Sequence, residues 1–460
     1  MIAMTNRIKK IVFMITAAAI AASMLGGCGG TGGNTVIKIG YVTDKSTINE
    51  HIESFESTHK GVKIIPVEWE YDPNTFSAMV ENGTLPDIYD THFTEVQKLI
   101  DEGYAADITQ ELKDYNLFNR INDFMMENIS KNGKVYFVPR TVYSMGLYIN
   151  VHLFQEAGLV DENGIPIAPD SFEELRQTAK LIKERTGKCG FVFPTTDRYG
   201  GWYFTVLAWN YGVHFVEDDN GEMKASFDTP ECADALRLLQ YMKWKDGSLQ
   251  TETDVSNDDV FAMIGKNEAA MTFAQNVQLD NAVKSGLIVP QNIGLAKMPR
   301  GPAGRVSMVG GGYYGINPNI TDEKKRIAFE WLMYDKGYTA DRDAEKELEQ
   351  MENSYREKYE KNDGVIGITG MQLWNDSAAN SSFEDELIAR YSNVNPDYVS
   401  SFNNASDVEY RLEEPVCTQE LYKILDECIL RALEDPNADC DAIIAEANQK
   451  FQTSLLDYEN

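Results

Sequence analysis

Lys134–Leu159, KVYFVPRTVYSMGLYINVHLFQEAGL, is the stretch whose reading decides the fold. Val135–Val138 and Met145–Asn150 are short apolar runs rich in β-formers, with Pro139-Arg140 between them. Two strands are expected, broken at the proline. Val151–Ala157 then carries apolar residues at helical spacing, and Gly158 supplies the stop. Strand, break, strand and helix around a polar, aromatic middle is the pattern of a chain crossing between two lobes.

Working outward, the N-terminal side alternates strand and helix. Val36–Val42 is a buried-strand candidate, Thr47–Thr58 a helix with Ile48, Ile52 and Phe55 on one face, and Val62–Trp69 a second strand. Pro73–Glu81 is a helix, Leu85–Tyr89 a third strand, and Glu95–Glu102 a helix ended by Gly103. Such alternation predicts a parallel sheet with ligands at the C-terminal strand ends.

On the other side, Ser171 and Glu174 read as a capping box opening a helix with Phe172, Leu175, Ala179 and Ile182 inward. Gly190–Pro194 reads as a strand, and Tyr199–Trp209 as an aromatic-rich loop or crossover segment. Thr229-Pro230 starts a helix with proline in its first turn. Thr321–Tyr334, Lys346–Lys361, Leu421–Leu433 and Ala442–Phe451 are further helices, and Val309–Pro318 is a glycine-rich run.

The pattern G-K-x-Y-x-x-P followed by L-Y-x-N-x-x-L-F-x-x-A-G-L resembles the extracellular solute-binding proteins of ABC transporters. The likeness is to their carbohydrate-binding group, family 1, typified by maltose-binding protein. Leu85-Pro86-Asp87-Ile88 and Gly103–Thr109 are similar to first-lobe segments of that family. The resemblance implies a two-lobe, periplasmic-binding-protein-like α/β fold of type II, with hinge crossovers between the lobes. It places the first lobe at about 36–142 plus 306–345 and the second at about 143–305 plus 346–460.

The site residues come from the same resemblance. Arg140, Thr141, Val142 and Tyr143 follow the hinge proline, where the family lines its cleft, and Tyr143 leads the candidates. Trp202 and Tyr203 match the second lobe's aromatic platform, with a core role as the rival for one of them. Asp44 and Lys45 follow the first strand, where sugar hydroxyls are bound; a helix-capping turn is the alternative. Lys266–Phe273 resembles the family's G-x-A-A-M strand, but Gln275, Asn276 and Val277 stand where Gly and an aromatic residue are expected. Gln275 and Asn276 are candidates for amide hydrogen bonds or a turn. Tyr313, Tyr314 and Trp374 add rings in predicted loops or crossovers, and Glu68, Tyr71 and Asp90 follow strands. Sugars present apolar C–H faces and hydroxyls, so their clefts need flat rings beside polar groups.

Composition is that of a globular chain, 43% apolar and 25% charged, and 460 residues allow two sizeable cores. A net charge of −30 provides no basic footprint for phosphates and argues against a nucleic-acid partner. Arg7, Lys9 and Lys10 precede an apolar run, Ile11–Leu25, that is short for a membrane span, so a cleaved export signal is expected over residues 1–27. Leu25-Gly26-Gly27-Cys28 looks like a lipobox, with Cys28 lipidated and residues 28–35 as a flexible tether. The expected place is the outer face of the bacterial cell membrane. The five other cysteines contain no C-x-x-C and suit no metal; they leave open one disulfide among Cys417, Cys428 and Cys440.

No H-E-x-x-H, G-x-S-x-G, Walker loop or dinucleotide fingerprint occurs, and no cofactor is expected. The expectation is a monomeric receptor, not an enzyme, that hands a sugar or oligosaccharide to an ABC permease. The rivals are the same fold binding a peptide, polyamine or phosphorylated polyol, and a surface glycan-degrading lipoprotein.

Overall fold

The computed structural model describes residues 34–459 except 42–44, 70, 220–221, 339–343, 372, 376–377 and 415. The export signal, Cys28, Asp44 and the side chain of Lys45 lie outside the described residues.

β1 (Thr35–Gly40), α1 (Lys45–Thr58), β2 (Val62–Pro66), α2 (Pro73–Glu81) and β3 (Ile88–His92) open the chain. β1 lies between β2 and β3 and is parallel to both. α1 folds onto the sheet because its apolar spacing puts Ile48 and Phe55 on one face. Both are buried, and Phe55 meets the edge of Trp331 at 5.3 Å.

β4 (Phe137–Asn150) is one continuous strand of 14 residues where a break at Pro139 is expected. Its partner β7 (Val306–Ile316) explains why. Pro139 sits opposite Tyr313 and Thr141 opposite Gly312, so the register skips at Arg140. A proline has no N–H to lose at such a bulge, and the strand bends there without ending.

Between these strands come α3 (Phe172–Thr186), α4 (Tyr199–Tyr211), α5 (Pro230–Trp244), β5 (Met271–Gln275) and β6 (Ile293–Ala296). Ser171 caps α3 by accepting from Glu174 N at 3.2 Å, while the Glu174 carboxylate accepts from Asp170 N at 2.9 Å. The side-chain half of the expected capping box thus reaches one residue further back. The predicted strand at Gly190–Pro194 is no strand; Cys189 and Phe191 form isolated bridges to Ala269 and Leu249. The aromatic stretch read as a loop is helix α4. Its residues 200–210 are all buried, so it shows none of the one-sided periodicity by which helices are recognised.

After β7 the chain adds α6 (Asp322–Asp335), α7 (Ala344–Lys361), α8 (Pro396–Asn403), β8 (Glu409–Arg411), α9 (Thr418–Glu434) and α10 (Cys440–Glu459). All five described cysteines are free thiols, which closes the disulfide left open for Cys417, Cys428 and Cys440. Burial pushes the Cys189 and Cys428 thiols up to about 12.

The main sheet runs β6-β4-β7-β3-β1-β2, with β5 also on β4 and β8 also on β7. β4 and β7 are antiparallel and both contribute to the two larger cores. Phe137, Val138, Val309, Tyr313 and Ile316 enter one core with Ile37, Phe76 and Trp331. Met145, Leu147, Ile149, Val306 and Met308 enter another with the inward faces of α3, α4, α5, α9 and α10. A smaller third core joins Tyr148 and Leu295 to Val399 and Phe402 of α8. The molecule is a two-lobe α/β fold, and both long strands change lobe in the middle.

Candidate functional site

A cavity of about 480 Å³ opens where β4 and β7 change over. β3 and the turn after it contribute His92, Phe93 and Thr94; β4 contributes Tyr143, and β7 contributes Gly311. The start of α4 brings Asp197, Arg198, Tyr199 and Trp202, and the end of β5 brings Gln275. Glu413, Gln419 and Tyr422 close the floor from the segment after β8 and from α9.

The ring geometry follows from two backbone features. Residue 310 lies opposite Tyr143 in the β4–β7 ladder, and a Cβ there would sit 2.2 Å from the Tyr143 hydroxyl. Glycine therefore lets the ring lie flat across β7. Trp202 meets Tyr143 edge-on at 6.2 Å and Tyr199 edge-on at 6.0 Å. The turn before α4 is unusual: Asp197 and Arg198 are consecutive non-glycine residues at φ 58° and 69°. Asp426 of α9 holds it, accepting from Arg198 N and Gly201 N at 2.7 Å each. Burial pushes the Asp426 carboxyl up to about 6, against those two bonds.

Glu413 is the acid of the cavity floor. Its Oε1 accepts from Trp202 Nε1 at 3.2 Å and from the Tyr143 hydroxyl at 3.4 Å. Glu414 accepts from Trp209 Nε1 at 3.1 Å, so two indoles seven residues apart on α4 pin consecutive glutamates. Burial raises the Glu413 carboxyl above its ordinary range, opposed by the donors around it. The Tyr143 phenol is raised too, by burial first and by Glu413 next. Buried Gln275 Oε1 has no hydrogen-bond partner among the described residues although its side chain lines the cavity, and the Tyr422 hydroxyl lies against Glu413.

Of the sequence candidates, Tyr143, Trp202 and Gln275 are brought together here. Tyr203 is fully buried beneath them, its hydroxyl 3.3 Å from Asn257 Oδ1 and Gln278 Oε1. Asn276 is the first residue of a helix, with its Oδ1 buried and unpartnered, and it does not line the cavity. Tyr313 lies in the first core, stacked on Phe93 at 4.3 Å. Tyr314 is buried edge-on to Tyr41 at 5.1 Å. Asp90 pairs with Arg140 at 3.1 Å and accepts from Trp69 Nε1 at 2.8 Å. Tyr71 donates to Glu95 at 3.0 Å beside His92, Glu68 is exposed, and Trp374 packs on Tyr338 at 4.9 Å.

Glu413, Tyr422 and Gln419 carry no sequence signal of their own: Glu413 lies in the segment before α9, and Tyr422 lies next to Leu421 of the helix's apolar stripe. Among the described residues no group of three or more His, Cys, Asp or Glu side chains gathers as a metal site. No described helix is long and apolar enough to cross a membrane.

Comparison with known proteins agrees with this architecture. Residues 40–334 match the family model described as bacterial extracellular solute-binding protein. A protein of Brucella abortus (strain 2308) named as a binding protein is 22% identical over 325 residues, covering 69% of this chain and 71% of its own. Three solved structures share the fold. The cyclic α-maltosyl-1,6-maltose binding protein of Arthrobacter globiformis is 20% identical, with a TM-score of 0.64 over 93% of this chain and 99% of that one. Maltose-bound MalE3 of T. maritima is 17% identical, with a TM-score of 0.62 over 91% and 99%. UgpB of Mycobacterium tuberculosis, in complex with glycerophosphocholine, is 15% identical, with a TM-score of 0.66 over 93% and 99%.

Proposed function

The chain belongs to the bacterial extracellular solute-binding proteins, a family of receptors and not of catalysts, and from that premise we propose that it captures a sugar or oligosaccharide for an ABC importer. The observation that carries this reading is the cavity itself. Tyr143, Tyr199 and Trp202 offer ring faces for apolar C–H surfaces, and Glu413, Gln275 and Arg198 stand beside them for hydroxyls. The sugar-binding neighbours from Arthrobacter globiformis and T. maritima support it.

In this proposal the lobes are 36–142 plus 306–345 and 143–305 plus 346–460. Ligand touching both favours the closed state by its differential affinity, with β4 and β7 as the hinge strands. Cys28 carries the lipid, the receptor works as a monomer on the outer face of the cell membrane, and the closed form docks on the permease.

The glycerophosphocholine-bound neighbour favours a second reading, a phosphorylated polyol. Such a ligand calls for clustered basic groups, and Arg198 is the sole Arg or Lys among the described lining residues. Tryptophan fluorescence tests the first reading, because Trp202 lies in the cavity wall. Titration with oligosaccharides is expected to shift its emission saturably. No response to any mono- or oligosaccharide, alongside a saturable response to glycerol phosphates, would contradict the proposal.

A further inference from the structure

Glu413 is a carboxylate without a counter-ion. Its hydrogen bonds come from neutral donors, Trp202 and Tyr143 on Oε1 with the Tyr422 hydroxyl beside them. Among the described residues no Lys, Arg or His forms an ion pair with it, while Arg198 stays at the exposed rim beside Asp197. Tyr143, Trp202 and Tyr422 line the cavity beside it, the first two turning a hydroxyl and an indole N–H toward its carboxylate. The unsatisfied Gln275 Oε1 can accept a hydrogen bond, and the Tyr422 hydroxyl, which faces Glu413, keeps lone pairs to accept another.

A protonated amine has three donors and no acceptor, and it carries the charge the floor lacks. A ligand hydroxyl would satisfy a lone pair but leave the carboxylate's charge uncompensated. Resting on the saccharide reading of this cavity, we propose that Glu413 seats a positively charged amino group, so that the solute is a saccharide bearing a free amine.

The test compares three probes by calorimetry on the full chain in detergent near neutral pH: a glucosamine oligosaccharide, its N-acetylated counterpart and a glucose oligosaccharide of equal length. The amine-bearing probe is expected to bind about tenfold or more tighter than either neutral one. Glu413→Gln keeps the shape and removes the charge, and is expected to abolish that preference, so that the variant binds the amine-bearing and N-acetylated probes equally. The wild-type comparison stands even if the variant folds poorly. Equal or tighter binding of the neutral probes overturns the amine assignment and leaves the saccharide reading intact. Binding of a polyamine or choline with none of the three saccharides overturns the saccharide reading itself.

Discussion

Tyr143 can face the cavity because residue 310 has no side chain. A methyl group at 310 would fall 2.2 Å from the phenol oxygen and 2.4 Å from the ring carbon bearing it, so the ring would have to swing away. Its free end can give, so the cost falls on the site more than on the fold. Gly310→Ala is expected to weaken saccharide binding about tenfold while moving the melting temperature little, as calorimetry and thermal denaturation would report. Removing both rings is the harsher test: Tyr143→Ala with Trp202→Ala is expected to cost about 2 kcal/mol or more of binding. Unchanged affinity in that double variant would mean that the ligand sits elsewhere. These two residues were legible because one follows the hinge proline and the other opens an aromatic segment. Glu413 was not, because an acid in a chain with 72 acidic residues stands out only when folding strips it of water and counter-ions.

At the scale of elements, the start of α4 rests on the backbone of α9. A Cβ on Gly201 would lie 2.2 Å from the Tyr422 carbonyl oxygen, which is backbone and cannot swing aside. Alanine would gain about 1 kcal/mol of helix propensity, but overpacking costs about 1–3 kcal/mol and requires the helices to part. Gly201→Ala is therefore expected to lower the unfolding midpoint in urea. Asp426 couples the same two helices to pH. Its folded value of about 6 lies above the ordinary 3.8, so the folded state holds the extra proton between them. Stability from this group is present at the acid end and declines as pH rises from about 4 to about 6, by up to about 3 kcal/mol. Asp426→Asn is expected to remove that slope, read as the difference between the two proteins' stability curves; parallel curves would contradict it. The sequence disclosed elements wherever a helix or strand has one wet face, as in α1, α5, α6 and α9. It misled at α4, which is dry all round, and at Pro139, whose bulge depends on pairing with Tyr313, far onward in the chain.

For the whole molecule, the two-lobe plan was legible because Lys134–Leu159 carries both the crossover and the motif of the family. The cavity's depth was not, because its floor comes from Glu413 and Tyr422, far along the chain from the hinge that faces them. In the proposed mechanism the molecule bends where β4 and β7 pass from one large core to the other, and a ligand held between Phe93 on one side and Trp202 on the other favours closure. The most direct test of that claim is a thermal-shift screen against saccharides, peptides and polyamines, because a solute that binds only the folded state raises the melting temperature with its concentration. The account predicts a selective rise with a saccharide that is recovered unchanged afterwards. A rise only with peptides or polyamines, or consumption of the added glycan, would contradict it.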